Sequence, residues 1–148
     1  MKTSRSAGYG LVAICYIAKN ETKGSLVNSN EISEKHGIPL EYLLKILQQL
    51  VRGNILKSKR GPRGGFSLSK PVNKISVAEV MESIDGPTNI DLGLSDLKQV
   101  GKSGELMDKL FNNAGAAYTS VLSGAMVSSL IVAPSPKAKA KSKKVTKK

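Results

Sequence analysis

The residues of this sequence that most clearly carry chemistry form a basic, glycine-rich turn at 57–65, KSKRGPRGG. Basic side chains and the uncovered backbone N–H groups of glycines can approach phosphates or the minor groove of DNA. The turn lacks the Gly-Lys-Ser/Thr ending of a nucleotide P-loop, and the alternatives to a DNA contact are a plain hairpin or a phosphate-binding loop of another kind. The candidate residues are Lys57, Lys59, Arg60 and Arg63.

A second group of candidates lies just upstream, in LEYLLKILQQLVR at 40–52. Apolar residues recur there at helical spacing and predict a buried stripe formed by Leu43, Ile46, Leu47 and Leu50. The opposite face is free for a ligand, since a Glu can accept from cytosine N4 and a Leu can touch a thymine methyl group. Predicted contacts with base edges or nearby phosphates are Glu41, Tyr42, Leu44, Lys45 and Gln48, and Arg52 lies on the same face.

Other chemistries find little support. The single Cys15 cannot form an internal disulfide or a multi-thiolate metal site, and we expect a buried, unreactive thiol. His36 ends a predicted helix, where it complements the helix dipole, and we assign it no metal role. One His, one Cys and no carboxylate pair assemble no acid, base or nucleophile, so we expect no enzyme and no cofactor.

Three helices are predicted to position the first half of the chain. The first begins at Thr3 or Ser4 and runs to about Asn20. The second is opened by a capping box between Asn28 and Glu31 and closed by Gly37. The third begins with Pro39 as its first residue and continues to Gly53, so two helices meet across a tight turn.

A hairpin and two more helices follow. ILKSKR and FSLSK alternate apolar with polar residues around GPRGG, which predicts a two-stranded hairpin. Ser76 and Glu79 form a capping box for a helix that Asp85-Gly86-Pro87 ends. A long helix is predicted from Ser95 to about Leu122, although its glycines at 101, 104 and 115 weaken it. Its apolar stripe contains Leu106, Leu110, Ala114, Val121, Leu122, Met126 and Leu130.

Net charge is +12 and unevenly placed, which favours a polyanionic partner. Residues 1–74 carry +9, residues 75–136 carry −4, and residues 137–148 carry +7. The first half is therefore the predicted polyanion-binding part. The lysine-rich end, 134–148, is predicted to be disordered, and it either adds phosphate attraction or serves as a solubilising tail.

The length of 148 residues predicts one compact domain with one attached element. The early apolar run is broken by Gly8, Tyr9 and Gly10, so we expect no signal peptide. The apolar stretch 121–133 is shorter than the ~20 residues that a membrane helix needs. We expect a cytoplasmic protein without membrane contact.

The order helix, helix, tight turn, helix, basic hairpin is typical of a winged helix-turn-helix, whose second helix of the pair enters the major groove. Three blocks of this sequence resemble successive blocks of the Rrf2 family of bacterial winged-helix regulators. They are MKTSRSAGYGLVAICYIA, EISEKHGIPLEYLLKILQQLVRGNILKSKRGPRGGFSLSK and ISVAEVMESIDGP. The expected fold is mainly α, with a two-stranded β wing and a long C-terminal dimerisation helix. The expected division is a DNA-binding domain at 1–87, a linker and dimerisation helix at 88–133, and the tail at 134–148.

The resemblance implies a homodimer on a palindromic operator whose half-sites lie about one helical turn, ~34 Å, apart. It also implies that residues 39–45, which begin with Pro39, Leu40 and Glu41 and end with Lys45, contact DNA. Arg60 in the wing is implied as a further contact. Many members hold an iron–sulfur cluster on three cysteines before the long helix, but 85–110 contains none. A three-cysteine cluster is therefore excluded, and the resemblance is to members that respond to a small molecule or a protein effector, or that sense nothing.

The leading hypothesis is a homodimeric, sequence-specific repressor that occupies promoter DNA. The alternative is a winged-helix protein-interaction module whose basic tail supplies only non-specific DNA affinity. These two functions differ in whether DNA binding depends on base sequence and survives removal of 134–148.

Overall fold

The structure is a computed structural model that describes residues 3–21 and 25–131. The predicted disorder of 134–148 lies outside the described residues. Seven regular elements are present in the described part, with short 3-10 turns at 72–74, 94–96 and 127–130. They are α1 (Arg5–Asn20), α2 (Ser29–His36), α3 (Leu40–Arg52), β1 (Leu56–Lys59), β2 (Gly65–Leu68), α4 (Val77–Asp85) and α5 (Gly101–Gly124). The predicted mainly α chain with a two-stranded wing is confirmed.

The ends of the first helices follow local capping chemistry. The Ser4 hydroxyl accepts from the Ala7 N–H at 3.0 Å and opens α1. Gly37 closes α2 in the left-handed conformation, with φ 64°. Two details differ from the sequence prediction.

The first difference concerns the cap of α2. Asn28 accepts from the Asn30 N–H at 2.8 Å, while the Glu31 carboxylate accepts from the Tyr16 hydroxyl at 2.5 Å. Glu31 thus joins α2 to α1 instead of completing a capping box. The second difference concerns Pro39, which precedes the first residue of α3 and acts as its N-cap residue.

An aliphatic core holds the helices together. Leu43, Ile46, Leu47 and Leu50 are all at most 1% exposed, as the helical stripe predicts. They pack in one cluster with Ile14 and Ile17 of α1 and with Ile75 and Val80 at α4. Burial of this stripe fixes the rotation of α3, so that its opposite face must point outward.

The wing is an antiparallel pair in which Leu56 faces Leu68 and Lys59 faces Gly65. The strand β2 also bridges to Val27, because the Phe66 N–H donates to the Val27 carbonyl at 2.8 Å. A Cβ atom at position 65 would lie 2.5 Å from that carbonyl oxygen, and one at Gly64 would lie 2.2 Å from the Lys59 carbonyl oxygen. The two glycines are therefore required for the close backbone approach that shapes the wing.

The long helix begins later than predicted. Residues 94–96 form a separate 3-10 turn, and positive φ angles at Gln99 (63°) and Gly101 (48°) separate this turn from α5. The prediction that the helix begins at Ser95 is wrong, because the chain changes direction at these two residues. Among the described residues, no helix has both the length and the apolar character needed to cross a membrane.

The segment after α5 also departs from the prediction. Met126 and Leu130 do not continue the helical stripe, because α5 ends at Gly124 and the chain folds back on α4. The Val127 N–H donates to the Ile75 carbonyl at 2.8 Å, and the Val77 N–H donates to the Ala125 carbonyl at 2.8 Å. Val127 is fully buried in the same core as α1 and α3.

Candidate nucleic-acid interface

The outward face of α3 carries most of the residues that the sequence predicted as DNA contacts. The side chains of Pro39, Leu40, Glu41, Lys45 and Gln48 are exposed, and Leu44 is half-buried. The residues in this row lie opposite the buried stripe, which leaves a solvated polar surface on a helix rigidly held by the core. An exposed helix face that carries polar side chains can contact base edges in a major groove, which is wide enough to admit an α-helix.

Tyr42 holds α3 in place as well as facing outward. It is 40% exposed, and its hydroxyl forms a hydrogen bond with the Ser6 hydroxyl of α1. Its ring packs edge-on against Tyr9, with centroids 5.8 Å apart and ring planes at 88°. The predicted base-contacting tyrosine therefore already has a partner for its hydroxyl in the free protein.

The N-terminal end of α1 is hydrogen-bonded to α4. The Ser4 N–H donates to the Asp85 carboxylate at 3.2 Å, and the Ser4 hydroxyl also forms a hydrogen bond with that carboxylate. Ser4 in turn caps α1, and Ser6 contacts Tyr42. The N-terminal turn of α1 thus connects the last residue of α4 to the beginning of α3.

The basic side chains of the wing form no salt bridge with other described residues. Lys57, Lys59, Arg60 and Arg63 are all exposed. In the part of the chain that the structure describes, the salt bridge is between Lys70 and Glu79, and none of the wing cations takes part in one. The tip of the wing is therefore a region of positive potential that can attract phosphates.

A polar cavity of about 700 Å³ lies between the wing and the helix pair. It brings together Gln48, Lys59 and Arg60 from the predicted set, whereas Glu41, Lys45 and Arg63 lie outside its walls. It also contains residues that the predicted set lacks: Asn28, Ser29, Asn30, Val51, Arg52 and Ser58. The sequence places Arg52 on the same helix face as Gln48, one helical turn later, but the approach of α2 to the wing depends on tertiary packing.

Cys15 and His36 lie together on another side of α1. Cys15 is half-buried, and burial raises the pKa of its thiol, while nearby Lys19 acts in the opposite direction. His36 packs edge-on against Tyr16, with ring centroids 5.3 Å apart. Within residues 3–21 and 25–131, no group of three or more His, Cys, Asp or Glu side chains could hold a metal ion.

Comparisons with known proteins agree with this geometry. The family model for Rrf2, described as an iron-dependent transcriptional regulator, matches residues 3–133. A Mycobacterium tuberculosis protein named as the HTH-type transcriptional regulator Rv1287 is 34% identical over 110 residues, covering 73% of this chain and 68% of that protein. The HTH-type transcriptional regulator IscR of Cereibacter sphaeroides is 34% identical over 90 residues, covering 60% of this chain and 58% of that protein.

Solved structures share the fold. CymR (YrzC), the global cysteine regulator of B. subtilis, aligns with a TM-score of 0.70 at 22% identity, covering 88% of this chain and 96% of that one. IscR of T. potens aligns with a TM-score of 0.67 at 20% identity, covering 88% and 86%. The matching family and the curated relatives are named as transcriptional regulators, in agreement with the prediction that the chain is not an enzyme.

Proposed function

We propose that this chain, which belongs to the Rrf2 family of transcriptional regulators, is a repressor that binds a palindromic DNA operator as a homodimer. The observation that carries the proposal is the arrangement of α3 and the wing. An exposed polar helix face and an uncompensated basic hairpin border one cavity, with Gln48 on one wall and Lys59 and Arg60 on the other. This arrangement suits simultaneous contact with a major groove and with the adjacent backbone or minor groove.

The exposed face of α3 supplies the contacts with bases. Glu41 accepts a hydrogen bond from a cytosine amino group, and Leu44 covers a thymine methyl group. Lys45 and Gln48 contact base edges or the phosphates beside them, while Pro39 and Leu40 lie at the helix end that approaches the DNA. In the wing, Lys59, Arg60 and Arg63 contact phosphates or the minor groove.

Dimerisation is assigned to α5. Its 24 residues expose large apolar side chains, including Leu106, Leu110 and Val121, in a helix whose main contact within the described residues is with α4. Burial against a second copy removes this apolar surface from water and repeats the DNA-binding half in two-fold symmetry. In this proposal residues 1–87 bind DNA, and residues 88–133 link and dimerise.

The donor set does not suit a cysteine-bound iron–sulfur cluster, although the matching family is described as iron-dependent. Such a cluster needs several thiolates, and the sequence has Cys15 alone, half-buried within α1. We therefore propose a member without a three-cysteine cluster and without a cofactor. Any signal reaches it through a small molecule or a protein effector.

Selection from random DNA duplexes tests the function. We expect the full chain, and a chain ending at Ala133, to enrich the same palindrome at two salt concentrations, with light scattering showing a dimer. Lys45→Ala and Arg60→Ala should each weaken binding to that palindrome about tenfold or more while leaving the dimer folded. Enrichment of no sequence, with affinity lost on removal of 134–148, would instead identify a protein-interaction module with a non-specific tail.

A further inference from the structure

The cavity between α3 and the wing has walls from three separate parts of the chain. One wall is the beginning of α2, one is the last turn of α3 with Arg52, and one is the wing. The space is about 700 Å³ and opens to solvent between the two parts of the molecule assigned to DNA. Three of its lining residues are the cations Arg52, Lys59 and Arg60.

These cations have no carboxylate partner. Arg52, Lys59 and Arg60 are exposed, and none forms a salt bridge within the described ranges. The remaining walls contribute amide and hydroxyl groups from Asn30 and Ser58, and none of the described residues that line the cavity carries a carboxylate. A space lined in this way attracts an anion that can accept several hydrogen bonds at once.

The geometry of a DNA duplex identifies the anion. The major and minor grooves are separated by one sugar-phosphate strand, so a protein that reaches into both must let that strand pass between its two contacts. In this molecule the space between the two contacts is this cavity, because Gln48 lies on its α3 side and Arg60 on its wing side.

We propose that the cavity is a binding site for the phosphates of the DNA strand between the two grooves, and that Arg52 is its main contact from α3. This inference rests on the proposed function. It assigns Arg52 to the backbone instead of to a base, so Arg52 contributes affinity and salt dependence, and Gln48 and Lys45 contribute sequence preference. The guanidinium suits this role because it can donate two parallel hydrogen bonds to one phosphate.

Replacement of Arg52 tests the assignment in the full chain. Arg52→Ala should weaken binding about equally, roughly tenfold, to the selected palindrome and to an unrelated duplex, and should lower the slope of log affinity against log salt by about 1. Arg52→Lys should keep the salt slope and recover part of the affinity. Lys74→Ala removes the same charge from an exposed residue outside the cavity and should leave the slope nearly unchanged.

Replacement of single phosphates by a neutral methylphosphonate identifies the phosphate that Arg52 contacts. A series of operator duplexes, each with one methylphosphonate, should contain a position between the two grooves at which binding by the wild-type chain falls and binding by Arg52→Ala does not fall further. The same titrations with inorganic phosphate as competitor separate DNA from a free anion. Competition at millimolar phosphate that depends on Arg52, with unchanged DNA binding by Arg52→Ala, would overturn the proposal in favour of a small-anion site.

Different results overturn the cavity assignment and the proposed repressor function. If the wild-type chain selects a palindrome but Arg52→Ala binds it normally, the cavity assignment is wrong and the proposed function stands. If no sequence is selected but Arg52→Ala lowers the salt slope, the cavity holds backbone phosphates and the repressor function is wrong. Melting temperatures of the variants show whether each one is folded.

Discussion

Tyr42 illustrates how one side chain can serve both the fold and the interface. Its hydroxyl contacts Ser6 and its ring packs edge-on against Tyr9, so two residues of α1 hold the beginning of α3. A hydrogen bond between exposed hydroxyl groups contributes little to global stability, but it restricts the position of α3, the helix proposed to enter the major groove. The contribution of Tyr42 to the position of α3 therefore matters more than its contribution to the free energy of folding.

Replacement of Tyr42 by Phe separates these two contributions. The ring contact remains and the hydrogen bond to Ser6 is lost, so we expect unfolding free energy to fall by no more than about 1 kcal/mol. Operator affinity should fall severalfold, because α3 is less firmly positioned. Chemical denaturation and DNA titration measure the two effects. Ser6→Ala removes the same hydrogen bond from its other partner and should lower affinity by a similar factor; unchanged affinity in Ser6→Ala would contradict the role of Tyr42.

At the scale of an element, the first turn of α4 is fixed by hydrogen bonds of Glu79. Glu79 accepts from the Ser76 N–H at 2.9 Å while its own N–H donates to the Ser76 hydroxyl at 3.1 Å, which completes a capping box. Lys70 also pairs with Glu79. The hydrogen bond from Lys70 is the main reason that the pKa of Glu79 is lowered, with the bonds from Ser76 adding to it and burial opposing it.

The lowered pKa predicts a loss of stability in acid. A carboxyl group whose pKa is lower in the folded than in the unfolded chain stabilises the fold above its unfolded pKa, about 4.3, and this contribution is lost as the pH falls through the folded pKa. Glu79→Gln should therefore lower unfolding free energy by about 0.5–1 kcal/mol near pH 7 and reduce the loss of stability below about pH 5. Denaturant titrations from pH 7 to pH 3 check this, with the exposed Glu82→Gln on the same helix as control. Parallel pH curves for Glu79→Gln and the wild-type chain would disprove it.

Elements with local signals are the ones that the sequence predicts well. The stripe from Leu43 to Leu50, the Ser76 capping box and the glycines of the wing depend on residues a few positions apart, and the structure has all three. The start of α5 depends on positive φ angles at Gln99 and Gly101, which no spacing indicates. The cavity requires α2, α3 and the wing to meet, so Arg52 could be placed on a helix face from sequence but not in a site.

At the scale of the whole molecule, the chain after α5 returns to the half that carries α3 and the wing. Val127 is fully buried beside residues from α1, α3 and α4, and it pairs with the backbone of Ile75. The segment 125–130 therefore completes the core beneath α4 although it follows the long helix in sequence. Because α4 also contacts Ser4 through Asp85, the support of α4 affects the helices that hold α3.

The unfolding free energies of shortened chains measure how much the segment 125–130 stabilises the core. A chain ending at Gly124 loses the buried Val127 side chain and two backbone hydrogen bonds, and we expect unfolding free energy to fall by about 2–4 kcal/mol. A chain ending at Ile131 keeps these contacts and should unfold like the full chain. Both are compared at one protein concentration, because the melting temperature of a protein that dimerises depends on its concentration. Equal stability of the two shortened chains would show that the returning segment does not support the core.

The pairing of Ile75 with Val127 also determines when a newly made chain can complete its core. The ribosome adds the wing, α4 and then all of α5 before it adds Val127, so the half of the chain that carries α3 and the wing lacks part of its core during that interval. Contacts between distant residues form slowly, because the chain between them must give up its freedom first. Folding of this half therefore cannot finish while α5 is still being translated.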